Sequence, residues 1–311
     1  MNKAVSNKVT SSAEISVGNS VGIVGCGWLG SALAQQLIKK AVKVLATRSN
    51  TDNAEQLNSQ GIEAQVLSLP AEQAQLNSHA IFRQHCLVIA ITPQFRQGRV
   101  DYAEKVQQLV TAAEESSSVE KIILLSSSAI YNGLSGPVDE SITLDLSADK
   151  VALLNQAEQA VLNFNQTYSN EHGFNDSKPQ AGKSRGYVLR LSGLVGPNRH
   201  PGKFLLNGRL LKSPQAIVNL IHQQDAVGLI QALLASELDG GIFNGVSPTQ
   251  VTKQQYYQAA ATALQLPAPV FEEEAILSGD KPKVVSATKT QAALNYRFVY
   301  ADLLSWLTDG E

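Results

Sequence analysis

The stretch Val21-Gly22-Ile23-Val24-Gly25-Cys26-Gly27-Trp28-Leu29-Gly30 constrains this 311-residue chain more than any other. A short apolar run leads into Gly-x-Gly-x-x-Gly, and Leu29, Leu33, Leu37 and Ile38 then recur at helical spacing. A glycine-rich turn between a buried strand and a helix is the phosphate-binding element of dinucleotide folds. Gly25 makes the tight turn, Gly27 keeps the backbone bare where a pyrophosphate must approach, and Gly30 lets the helix lie close to the strand. The free amides and positive end of the helix face the phosphates, which brings Trp28 and Leu29 into the cofactor-binding set.

The next apolar run, Val42 to Ala46, reads as a second strand of a parallel sheet. NAD-binding units place a carboxylate at its end, about 20 residues past the glycine motif, to hold the ribose hydroxyls. Here that place reads Thr47-Arg48-Ser49. No carboxylate repels a 2′-phosphate, Arg48 can pair with it, and the two hydroxyls can donate to it. The expected cofactor is therefore NADP, with NAD as the alternative. Thr92 and Pro93, after the fourth strand, border the adenine-ribose side of the same site.

Strand and helix patterns alternate, which predicts an α/β protein with a Rossmann doubly wound parallel sheet. Strands are expected at 21–24, 42–46, 64–67, 86–91, 121–126 and 186–192. Helices are expected near 28–40, 53–60, 100–117 and 150–170, the last capped by Ser147. Residues 1–19 read as a polar tail and 170–184 as an exposed loop. The alternation breaks after Gly193. Residues 20–193 with 221–244 then form the dinucleotide-binding domain, and 194–220 with 245–311, including the acidic cluster Glu272-Glu273-Glu274, form a small C-terminal substrate lobe over the carboxyl edge of the sheet.

Hydrophobic residues make up 43% of the chain and the net charge is −2. That balance supports neither nucleic-acid nor acidic-membrane binding. No run is long enough to span a bilayer. Cys26 and Cys86 form neither a disulfide framework nor a metal pattern, so a reducing cytoplasm is expected and no metal.

Four landmarks extend the pattern. They are the glycine turn at 25–30, Leu125-Ser126-Ser127-Ser128-Ala129-Ile130-Tyr131, Leu189-Arg190-Leu191-Ser192-Gly193-Leu194-Val195-Gly196-Pro197, and Ile221-His222-Gln223-Gln224-Asp225-Ala226-Val227. With them, roughly residues 21–300 resemble the extended short-chain dehydrogenases/reductases, the NAD(P)-dependent epimerase/dehydratase superfamily. The phrase at 193–204 looks closest to its atypical, YeeZ-type members. The resemblance implies a serine–tyrosine–lysine apparatus for proton transfer, with Ser127 four residues before Tyr131 at the serine place. No tyrosine of this chain has lysine four residues on. Glu158 resembles the acidic residue that follows the family lysine, and counting back puts Leu154 at the lysine place and Lys150 at the tyrosine place. Ser127, Tyr131 and Lys150 are the catalytic candidates. Tyr131 either reaches the site from its loop or packs under the nicotinamide, and Lys150 is either ligand-facing or a surface lysine. His222 and Asp225 match a landmark whose family role is structural.

Arg199-His200-Pro201-Gly202-Lys203 places two cations and an imidazole near the sheet edge. With Ser127, Arg199, His200 and Lys203 are candidate contacts for a small, anionic substrate; a plain basic loop is the other reading. The expected activity is oxidoreductase or epimerase/dehydratase-like, on a small polar substrate such as a sugar nucleotide. The alternative is a non-catalytic NAD(P)-binding sensor or regulatory protein. Family members often pair through the helices near 100–117 and 150–170, which makes a homodimer an expectation.

Overall fold

The structure, a computed structural model, describes residues 20–116, 118–164, 185–206, 210–272 and 281–309. The expected tail at 1–19, the loop at 170–184 and most of the acidic cluster lie outside these residues. The main strands are β1 (Ser20–Val24), β2 (Lys43–Arg48), β3 (Ala64–Val66), β4 (Cys86–Ile89) and β5 (Lys121–Ser127). They are followed by β6 (Pro137–Val138), β7 (Gly186–Leu191), β8 (Gly193–Val195), β9 (Leu220–His222), β10 (Gly241–Gly245) and β11 (Val284–Val285). Seven of them form one sheet in the order β10-β7-β5-β4-β1-β2-β3, and every pairing in it is parallel. This is the doubly wound Rossmann arrangement: the chain starts in the middle, runs out to β3, then crosses back past β1.

Helices cover both faces, as a parallel sheet requires. On one side lie α3 (Gln73–Ser78), α4 (Tyr102–Glu115) and α5 (Asp149–Leu162), whose apolar stripes enter a core with Leu87, Ile89, Ile122, Leu124 and Val188. On the other lie α1 (Trp28–Lys39), α2 (Thr51–Ser59) and α6 (Gln223–Ala235), packed on Val21, Ile23, Val44, Val88 and Leu189. The strands bury both faces because nearly every residue in them is apolar; β4 is Cys-Leu-Val-Ile, fully buried. The ammonium of Lys121, itself buried, donates to the carbonyls of Leu233, Leu234 and Ser236 at 2.8–3.2 Å and so satisfies the C-terminus of α6.

The remaining elements are α7 (Lys253–Ala263), α8 (Thr288–Leu294) and α9 (Leu303–Asp309). A capping box between Thr252 and Gln255 starts α7. Tyr256, Ala260, Leu303, Trp306 and Leu307 make a third core with Val195 and Val218. Residues 284–298 turn back to the main body: β11 pairs with β6, Val285 and Ala287 join one sheet core, and Tyr296 and Phe298 pack on the other.

Local differences have simple causes. Ser147 does not cap α5; its amide is drawn to Asp145 Oδ1 at 3.1 Å, and the helix starts after Ala148. Ile38, at helical spacing with Leu33 and Leu37, is 40% exposed at the edge of the stripe.

Candidate functional site

All seven strands point the same way, so the loops after them gather on one edge. There they bound a cleft of about 840 Å³. Its walls come from the glycine turn, from Arg48 and Ser49 at the end of β2, from 67–69 after β3, from 90–94 after β4, and from the ends of β5 and β7. Thr92 and Pro93 are in the loop after β4 and Ser127 is at the end of β5.

The three glycines differ in what they require. Gly25 has φ +82°, and a Cβ there would stand 2.9 Å from Ile91 Cγ2. A Cβ on Gly30 would come within 3.3 Å of Ile23 Cγ2, on the strand behind it. Gly27 has no such neighbour; the nearest atom to an added Cβ is Arg48 Nη1, at 3.5 Å. Helix α1 begins just after it with no side-chain cap and no carboxylate in its first turn.

Arg48 lines the cleft beside this turn and donates from Nη1 to the Cys26 carbonyl at 2.8 Å. Thr47 does not face the cleft. It is buried, and its hydroxyl accepts from the Gly25 amide at 3.3 Å while its carbonyl accepts from the Cys26 amide. Strand alternation explains the difference, since neighbours in β2 point to opposite faces. Thr47 braces the turn, while Arg48 and Ser49 line the cleft.

Beneath the cleft floor lies a closed polar network. Glu158 of α5 and Arg190 of β7 are paired through the Nη2 and Nε nitrogens at 2.7–3.1 Å. Ser126 donates to the same carboxylate at 2.5 Å. The Tyr131 hydroxyl accepts from Arg190 Nη1 at 2.9 Å and donates to Asn244 Oδ1 at 2.8 Å. The sequence makes Tyr131 a catalytic candidate, and the structure corrects this: it is fully buried, both faces of its hydroxyl are occupied, and burial raises its phenol above the ordinary range. Lys150 is corrected too. It lies exposed in the first turn of α5, and Leu154, one turn on, lines the cleft in its place. Ser127 lines the cleft, with its Oγ accepting from the Ala129 amide at 3.1 Å.

The basic segment divides. Arg199 lines the cleft with its guanidinium 4.8 Å from the centre of the Trp28 ring. Trp28 is held in turn: its indole donates to the Pro197 carbonyl at 3.0 Å, and its own carbonyl accepts from Gln223. His200 instead accepts from the Gly202 amide and stands against Trp306, and Lys203 is exposed on the same short turn; neither lines the cleft. His222 caps α6 through Nδ1 and packs on Tyr300, while Asp225 accepts from the amides of Val299 and Tyr300.

Among the lining residues that sequence reasoning missed are Arg99, Tyr102 and Lys105 around the start of α4, and Ser192 after β7. One signal was present. Tyr102 and Lys105 are three apart, on one helix face, whereas a search for the four-residue spacing passes over them. Among the described residues there is no group of three metal-ligating side chains, and no helix is long and apolar enough to cross a membrane.

No protein-family model matches the chain. It is 29% identical over 288 residues to protein YeeZ of Escherichia coli K12, covering 91% of this chain and 97% of YeeZ. A conserved protein from Silicibacter pomeroyi superposes with a TM-score of 0.71 at 22% identity, over 93% of this chain and 96% of that one. UDP-glucuronic acid 4-epimerase from Bacillus cereus, solved with NAD, superposes with a TM-score of 0.70 at 16% identity and the same coverage. The chain is similar to YeeZ along nearly its whole length and shares the fold of the Bacillus cereus epimerase.

Proposed function

We propose that this chain binds a nicotinamide dinucleotide across the turn at 25–30 and, beside it, a small polar, anionic substrate of the sugar-nucleotide kind. The observation that carries the reading is the bare Cα of Gly27 beside the uncapped start of α1, open to a cleft large enough for such a ligand. The helix amides and dipole favour phosphate there. Arg199 and Trp28, at the same helix start, add a cation held in place by its ring contact.

Arg48 and Ser49 stand at the ribose end of the turn with no carboxylate beside them, which supports NADP over NAD. When bound, the dinucleotide supplies hydride chemistry. This chain's residues then orient and enclose: Ser127 holds a hydroxyl or carbonyl of the substrate, and the residue-193-to-199 segment of the small lobe excludes water. Leu154 offers no ammonium, and Tyr131 is committed to Arg190 and Asn244, so tyrosine–lysine proton transfer does not run through them. Those two features also favour a second reading, a dinucleotide-binding protein with no fast turnover.

The test is calorimetric titration with NADP and NAD, followed by a hydride-transfer assay with a panel of UDP-sugars. Binding with turnover supports the enzyme, and binding without turnover supports the second reading. Binding of neither nucleotide overturns both.

A further inference from the structure

Among the described residues three buried side-chain polar atoms make no hydrogen bond to another protein group: the hydroxyls of Tyr102, Ser192 and Tyr256. A buried hydroxyl left in that state costs free energy, so a fold that keeps one has a use for it. Two of the three line the cleft. Tyr102 opens α4 on one side and is 1% exposed; Ser192 follows β7 on the other and is 4% exposed. Tyr256 belongs to the third core and does not line the cleft.

Resting on the proposed dinucleotide reading, we infer that Tyr102 and Ser192 are ligand-binding residues of this cleft, each meeting a polar oxygen or amide of the bound dinucleotide. Tyr102 stands on α4, packed beside α5, where Leu154 offers the cleft only an aliphatic surface. Burial first, and the buried Glu158 carboxylate second, push the Tyr102 phenol well above its usual range. It therefore acts as a neutral hydroxyl that donates a hydrogen bond and keeps its proton. Lys105, on the same face of α4, and Arg99 before it add positive charge to this wall, both leaning on Asp101. The wall suits a ligand rich in hydroxyl and phosphate oxygens.

The experiment uses the full chain with Tyr102→Phe, Ser192→Ala and Tyr256→Phe. Each is followed by thermal unfolding without nucleotide, and by calorimetry with NADP and with 2′-phospho-ADP-ribose, which lacks nicotinamide. Removing an unbonded hydroxyl should leave unliganded stability unchanged or slightly raised in all three. Nucleotide affinity should fall roughly tenfold for Tyr102→Phe and Ser192→Ala and stay the same for Tyr256→Phe. A fall for both nucleotides places the contact on the ribose–phosphate part; a fall for NADP alone places it on nicotinamide. If wild-type protein binds NADP and neither cleft variant weakens it, this inference fails and the dinucleotide reading stands. If wild-type protein binds neither nucleotide, both fall.

Discussion

Glu158 and Arg190 meet between helix α5 and strand β7 with side chains 0% and 3% exposed, their oxygens and nitrogens 2.7–3.1 Å apart. A charged pair this deep is held by its partners, since each ion lost from water must be matched by hydrogen bonds. Ser126 supplies one and Tyr131 another, and Asn244 fastens Tyr131 to the far strand of the sheet. The network thus ties α5, β5, β7 and β10 together beneath the cleft.

Breaking this network should cost stability rather than chemistry. Glu158→Gln leaves a buried guanidinium without its counter-ion and should destabilise by roughly 3–5 kcal/mol. Tyr131→Phe leaves Arg190 and Asn244 each short of one partner and should cost roughly 1–3 kcal/mol. Urea denaturation measures both. A Tyr131→Phe protein as stable as wild type but with altered turnover would return Tyr131 to the catalytic set.

Acid should weaken the fold through His222. Burial among Tyr300 and Trp306 holds its imidazole down to about 4. An unfolded histidine titrates near 6.5, so between about pH 6.5 and 4 the unfolded chain binds the extra proton. Stability from this group is full above pH 6.5 and falls as pH drops, by roughly 3 kcal/mol at the lower end. Asp225, whose carboxyl burial raises, works in the opposite direction, so the wild-type curve alone is not decisive. His222→Asn keeps a cap for the Gln224 amide and removes the titration. Its stability should fall less than wild type's from pH 7 to 4; parallel curves would remove His222 from the account.

Much of this was readable in the chain because the signals were local. The glycine turn, the apolar strands β1, β2, β4 and β5, and helix α1 each follow from a short window of sequence. The site was less legible where it depends on which way a side chain points. Thr47 and Arg48 are neighbours, and only the pleat of β2 separates the one that braces the turn from the one that lines the cleft. His200 and Lys203 shared a basic segment with Arg199, but a short helical turn carries them away from it. Tyr102 and Ser192 come together only through the order of the strands, which no window contains.

Arg48 should set cofactor choice. Its charge-assisted pairing with a 2′-phosphate is worth roughly 1.5–3 kcal/mol, a factor of about ten to a hundred in affinity. Arg48→Ala also loses the bond to the Cys26 carbonyl, which should weaken both cofactors slightly. Calorimetry should therefore show a large loss for NADP and a small one for NAD. Equal losses, or tighter binding of NAD by wild-type protein, would contradict the assignment.

The most direct measurement compares Gly27→Ala with wild type, by thermal unfolding and by titration with NADP. A methyl at Gly27 meets Arg48 Nη1 at 3.5 Å and the Gly25 carbonyl at 3.9 Å, both ordinary contacts, so the fold should keep its stability. The same methyl should occupy the approach of the pyrophosphate and weaken binding at least tenfold. Gly25→Ala, forced against Ile91 at φ +82°, should lose stability and serves as the contrast. A folded Gly27→Ala protein that binds NADP as tightly as wild type would contradict the placement of the dinucleotide.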